Sequence, residues 1–193
     1  MSPRKILAMM TATAALIAGP VLTAHASAST SAPDSVTATD TASASARSVY
    51  AAQARGAGLT APQAARLQQQ VDAVLAKDPA ARQVSANRLT TAGGTLTLAA
   101  PGRPEARDLA APDTALACGN GHLCITDGRG DTYDFYRCGY YDFWGIGDGT
   151  FNNNQTPGTR ARFYNENGSE RWSNVAKDTG TASWTPVYHI RPC

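Results

Sequence analysis

Histidine is scarce in this 193-residue chain: there are three, and His25 falls in an N-terminal export segment. Only His122 and His189 remain for acid–base or metal chemistry. No His-Glu-x-x-His or Gly-x-Ser-x-Gly run occurs, which removes the common signatures of zinc peptidases and serine hydrolases. Close Cys-x-x-Cys pairs are missing too, so a structural zinc site has no spacing to build on. A surplus of one charge is also lacking. Of seventeen basic side chains, Arg4 and Lys5 leave with the export segment, and the fifteen that stay face fifteen acidic ones. The whole-chain pI of 8.4 is thus partly a property of that segment. No basic face is left for nucleic acid.

A long apolar run occurs once. Ile6 to Leu22 follows Arg4 and Lys5 and precedes the small-x-small site Ala24-His25-Ala26, the layout of a signal peptide over residues 1–26. Gly19-Pro20 breaks the run, which falls short of the roughly 20 residues that a retained anchor needs. The mature chain is expected to be secreted and free of the membrane.

Large side chains are nearly absent from the first half. Every Trp and Phe, and every Tyr except Tyr50, lies between Tyr133 and Tyr188. Residues 27–57, rich in Ser, Thr and Ala, read as a flexible tether, because little apolar surface is there to offset the entropy of ordering. Residues 58–100 read as a helix and a hairpin. Thr60-Ala61-Pro62-Gln63 spells a capping box, and Ala64, Leu67, Val71, Val74 and Leu75 recur at helical spacing until Lys77-Asp78-Pro79. Strands follow over residues 83–89 and 95–98, around Gly93-Gly94. A unit this small is marginal alone, so it leans on the next domain or is a pro-region removed after export. Residues 101–116, with Pro101, Pro104 and Pro112, form a linker.

Residues 117–193 change character. Strand-like segments at 122–126 and 132–138 flank Asp127-Gly128, and those at 159–165 and 169–172 flank Asn167-Gly168; residues 187–191 make a last strand. The order strand, tight turn, strand, longer loop, strand occurs twice. The expected fold is all-β, with two Greek-key units packed as a sandwich. Outside the cytosol the four cysteines, Cys118, Cys124, Cys138 and Cys193, read as two disulfides. Three pairings are open. Cys118–Cys124 with Cys138–Cys193 is favoured, because the first closes a short loop and the second ties down the chain end. Such staples typically contribute about 2–4 kcal/mol each.

Several spaced motifs then agree in order. Ala117-Cys118-Gly119-Asn120-Gly121-His122-Leu123-Cys124 runs through Tyr133-Asp134-Phe135-Tyr136-Arg137-Cys138-Gly139. Residues 153–164 follow, and Trp184-Thr185-Pro186-Val187-Tyr188 to Arg191-Pro192-Cys193 closes the chain. Over residues 117–193 this resembles the secreted actinobacterial peptidase-inhibitor family of the metalloproteinase-inhibitor type. The resemblance implies a βγ-crystallin-like fold and a secreted protease, zinc-dependent in the founding type, as partner. Two places depart from the crystallin pattern: the first turn, residues 125–130, is short, and Pro157 stands where a crystallin calcium site has a hydroxyl.

No metal site and no cofactor are expected, and the chain is expected to be a monomer without catalytic activity. Asp142 with Asp148, or Glu166 with Glu170, are the carboxylate pairs a glycosidase would need, but the latter flank a turn and read as solvated charges. Arg129-Gly130-Asp131 spells an adhesion tripeptide and reads better as turn chemistry. Binding is the function left. The Gly-rich stretch 139–149 and the residue after Cys124 supply the protease-binding candidates Ile125, Tyr141, Phe143, Trp144 and Ile146, displayed on a rigid, substrate-like loop. The alternative is a module that binds cell-wall or other polysaccharide through Trp144, Trp172 and Trp184.

Overall fold

The computed structural model describes residues 38–110 and 117–193. Residues 1–26, where a signal peptide is expected, residues 27–37 and residues 111–116 lie outside the described residues. Helix α2 (Ala61–Lys77) starts where the capping box places it. The Thr60 hydroxyl accepts from the Gln63 N–H, and the Gln63 side-chain oxygen accepts from the Thr60 N–H at 2.9 Å. Its apolar stripe, Ala64, Leu67 and Val71, is buried.

Helix α1 (Ala38–Gly56) stands where the sequence reads as a flexible tether. Large side chains are scarce in this segment, but alanine, its commonest residue, is also the strongest helix former. Tertiary contacts supply the rest. Ala54 is buried in the core, the Tyr50 hydroxyl donates to the Gln83 carbonyl at 3.1 Å, and Gln53 accepts from the Ala86 N–H at 3.0 Å.

Among the described residues eleven short strands follow: β1 (Arg82–Gln83), β2 (Arg88–Thr90), β3 (Gly94–Thr97), β4 (His122–Thr126), β5 (Thr132–Phe135), β6 (Tyr141–Asp142), β7 (Asp148–Asn154), β8 (Arg160–Tyr164), β9 (Glu170–Val175), β10 (Asp178–Ser183) and β11 (His189–Arg191). They form two antiparallel sheets, ordered β1-β2-β3-β5-β4-β7-β10 and β6-β11-β8-β9. Each half of the C-terminal region lends a strand to the other. The first half's β6 pairs with β11, and the second half's β10 pairs with β7. Phe163 and Trp184, both fully buried, share the core between the sheets with Phe143, Phe151 and Trp172.

The helix–hairpin segment is built into the larger sheet. Cross-strand pairing aligns Leu89 with Leu96, Leu96 with Tyr133, Tyr133 with Ile125 and Ile125 with Phe151. All five side chains are buried, and opposite residues in antiparallel strands share a face. One apolar row therefore runs from the N-terminal hairpin through β7, where the sequence reads a boundary. The linker is equally engaged. The Asn87 amide, with no exposed surface, donates to the Leu98 and Arg107 carbonyls, both at 2.7 Å, and accepts from the Leu109 N–H at 3.0 Å. The Ala106 N–H donates to the Gly130 carbonyl. Residues 101–110 are largely exposed but fastened at Ala106, Arg107 and Leu109.

The four cysteines pair as Cys118–Cys124 and Cys138–Cys193. Two disulfides fit an oxidising, extracellular setting. Among the described residues no helix is long and apolar enough to cross a membrane.

Asn87→Ala is expected to lower unfolding free energy by about 3 kcal/mol, since three buried hydrogen bonds each contribute about 1 kcal/mol. Urea titration checks this; an unchanged midpoint would show that the segment is not fastened through Asn87.

Candidate functional site

Asp127 follows β4 and begins the turn to β5. Its side chain is fully buried, and a buried carboxylate needs several donors. It has five. One oxygen accepts from the N–H groups of Arg129 (2.9 Å) and Asp131 (3.0 Å), which shapes the turn. The other accepts from Arg129 Nε (3.0 Å) and Nη2 (2.9 Å) and from the Ile146 N–H (3.2 Å). The last contact reaches into the Gly-rich loop. There the Ile146 carbonyl accepts from the Gly128 N–H at 2.7 Å, and the Trp144 carbonyl accepts from Arg129 at 3.0 Å. Gly147 donates to the Thr185 hydroxyl and accepts from the Trp184 N–H. The turn and the loop approach so closely that a Cβ on Gly128 would lie 2.9 Å from Gly147 Cα. At Gly128 glycine is required by contact rather than by backbone conformation.

This clamp sorts the binding candidates. Ile125 has no exposed surface and lies between β5 and β7. Phe143 is 3% exposed, packed on Tyr133 and Trp184 at ring separations of 4.6 and 5.7 Å. Neither can enter a protease pocket; strand alternation points Ile125 inward, and the core takes Phe143. Tyr141 and Trp144 are half-buried, and the Tyr141 hydroxyl donates to the Cys138 carbonyl at 2.9 Å. Ile146 is 46% exposed in the loop before β7.

Trp144 also borders an open groove of about 240 Å³ between the end of α2 and the sheets, with Lys77, Asp78, Tyr140, Tyr141 and Asp142 among its walls. The other tryptophans pack in or against the core. Trp184 is fully buried, and Trp172 stacks on Phe163 at 3.9 Å.

The remaining motifs are structural. Asp131 of the Arg-Gly-Asp run is buried, and its carboxylate accepts from the Ala99 N–H at 2.8 Å. Arg129 is held by Asp127, so the tripeptide is not displayed for adhesion. Asn153 is buried too: its amide donates to the Asn174 side chain and accepts from Gln155, both at 2.9 Å. Glu170 lies beside the Arg162 guanidinium, whose hydrogen bond holds its carboxyl below the ordinary range. Both described histidines are paired with a carboxylate, His122 with Asp134 at 2.6 Å and His189 with Asp142 at 2.8 Å. Among the described residues no hydroxyl or thiol hydrogen-bonds either ring.

Sequence reasoning treats Asp127 only as a turn residue. The signal was there: Asp at the head of a tight turn hydrogen-bonds the backbone two residues on. Its further reach to Ile146 depends on tertiary structure. Comparison with protein-family models, curated proteins and solved structures finds no match to this chain.

The clamp has a pH signature. Burial, reinforced by the nearby Asp127 charge, pushes the Tyr133 phenol far above its ordinary range, and Arg129 Nη2 donates to its oxygen at 3.4 Å. A raised folded-state value means that the unfolded chain releases this proton first as pH rises. The stability is therefore complete below about pH 10 and is lost above it. Alkaline unfolding is expected to steepen from there, and Tyr133→Phe to flatten it. Identical pH–stability curves for the two proteins would remove Tyr133 from the account.

Proposed function

We propose that the protein is a secreted inhibitor of an extracellular peptidase, most directly of a thermolysin-like zinc enzyme, acting one to one by inserting a single apolar side chain. The observation that carries this reading is Ile146, a branched apolar residue exposed on a loop whose backbone is fastened on both sides. A loop ordered before encounter loses little conformational entropy on binding. An apolar side chain presented in this way suits an apolar specificity pocket. The N–H and C=O of Ile146 are both engaged inside the molecule. The loop therefore offers a side chain to the enzyme rather than a free strand, and is rigid without being an open substrate mimic.

Supporting features lie outside the loop. Residues 117–193 resemble secreted metalloproteinase inhibitors in the motifs given above. The exchange of β6 and β10 between the two halves agrees with a pair of Greek-key units in a βγ-crystallin-like sandwich. The export-like N-terminal sequence and the two disulfides support the reading, since both suit the compartment where secreted peptidases work.

The test is titration against thermolysin-like and subtilisin-like enzymes. The zinc enzyme is expected to lose activity stoichiometrically. Ile146→Asp, with unchanged circular dichroism, is expected to weaken inhibition about thirtyfold or more, the effect of losing an anchor worth about 2 kcal/mol. Full inhibition by that variant, or none by the wild type, would overturn the proposal.

A further inference from the structure

Trp144 stands two residues before Ile146 and does different work. It forms a shared wall between two adjoining cavities. The larger, about 240 Å³, is lined by Tyr140, Tyr141, Asp78 and Asp142. The smaller, about 130 Å³, is lined by Gln70, Val74 and Arg129. Lys77, Leu96 and Tyr133 border both. Both lie along the seam where the end of α2 meets the larger sheet, so the N-terminal segment and the C-terminal strands build them together.

Aromatic faces beside carboxylates and an amide match one ligand chemistry closely. One face of a pyranose ring carries axial C–H groups, which pack on the negative face of an indole or phenol ring. The hydroxyls around its rim donate to carboxylates and exchange hydrogen bonds with amides. Other ligand classes fit worse. Lys77 is balanced by Asp78 and Asp142, and Arg129 by Asp127 and Asp131, so phosphate-rich ligands meet no surplus of positive charge. An added peptide strand needs a free sheet edge, and β6, which borders the larger cavity, is only two residues long. We propose that the seam is a saccharide-binding site that seats two neighbouring rings of an uncharged polysaccharide, one on each side of Trp144. This would hold the protein on an insoluble glycan while the Ile146 tip stays exposed. The site stands independently of the inhibitor reading.

The test uses the whole secreted protein on insoluble cellulose and chitin, with cellotetraose and chitotetraose as soluble competitors. Retention on at least one polymer, reversed by its tetrasaccharide, is expected. Trp144→Ala is expected to weaken retention about tenfold or more, and Trp144→Phe, which keeps an aromatic face, to weaken it less. Ile146→Asp should bind glycan like the wild type, whatever its effect on peptidases, which separates the two proposals. Should Trp144→Ala misfold, the wild-type Trp144 indole N–H resonance gives the answer, by shifting or not with the tetrasaccharide. Absence of retention on both polymers, retention unchanged in folded Trp144→Ala, or an indole resonance unmoved at saturation would each overturn the proposal.

Discussion

One carboxylate organises the end of the molecule on which binding is proposed. A fully buried Asp127 is costly to desolvate, and only its five hydrogen bonds make the burial tolerable. Those bonds join three things that are separate in sequence: the turn between β4 and β5, the guanidinium of Arg129, and the loop that carries Ile146. Removing one donor would leave the others sharing an under-satisfied charge. The arrangement therefore favours all-or-none order over gradual loosening. That property lets an exposed apolar residue be held in place by polar chemistry rather than by packing around it.

The second constraint is the apolar row from Leu89 to Phe151. It makes the N-terminal hairpin an extension of the sheet rather than an appendage. The same pairing covers the outer edge of β5, which would otherwise present unpaired N–H and C=O groups to other chains. With Asn87 and the Gly130 carbonyl fastening the connecting segment to both sides, the described residues form one compact unit. The cavities beside Trp144 exist only because of this union.

Much of this was legible from residues alone. Thr60 and Gln63 marked the start of α2, Asn167-Gly168 marked its hairpin, and the loop-closure argument favoured the cysteine pairing that is observed. What escaped has physical causes. Strands β7, Asp-Gly-Thr-Phe-Asn-Asn-Asn, and β10, Asp-Thr-Gly-Thr-Ala-Ser, lack apolar alternation. They are strands because their neighbours supply the ladder: β7 lies between β4 and β10, and β10 pairs along its whole length with β7. Helix α1 is held by tertiary contacts that its own composition does not announce. Ile125 and Phe143 looked displayable because they neighbour a disulfide and a Gly-rich stretch. Burial, which depends on strand partners far along the chain, decided otherwise. The groove at Trp144 was the least legible feature, since its walls come from α2, the hairpin and the Gly-rich loop.

The most direct test of the Asp127 clamp is amide hydrogen exchange, followed by NMR, in the wild type and in Asp127→Asn. The account predicts slow exchange for the N–H groups of Arg129, Asp131 and Ile146 in the wild type. It predicts selective loss of that protection in the variant, while the amides of β4 and β7 stay protected. Fast exchange at those three positions in the wild type, or protection unchanged by the substitution, would contradict it.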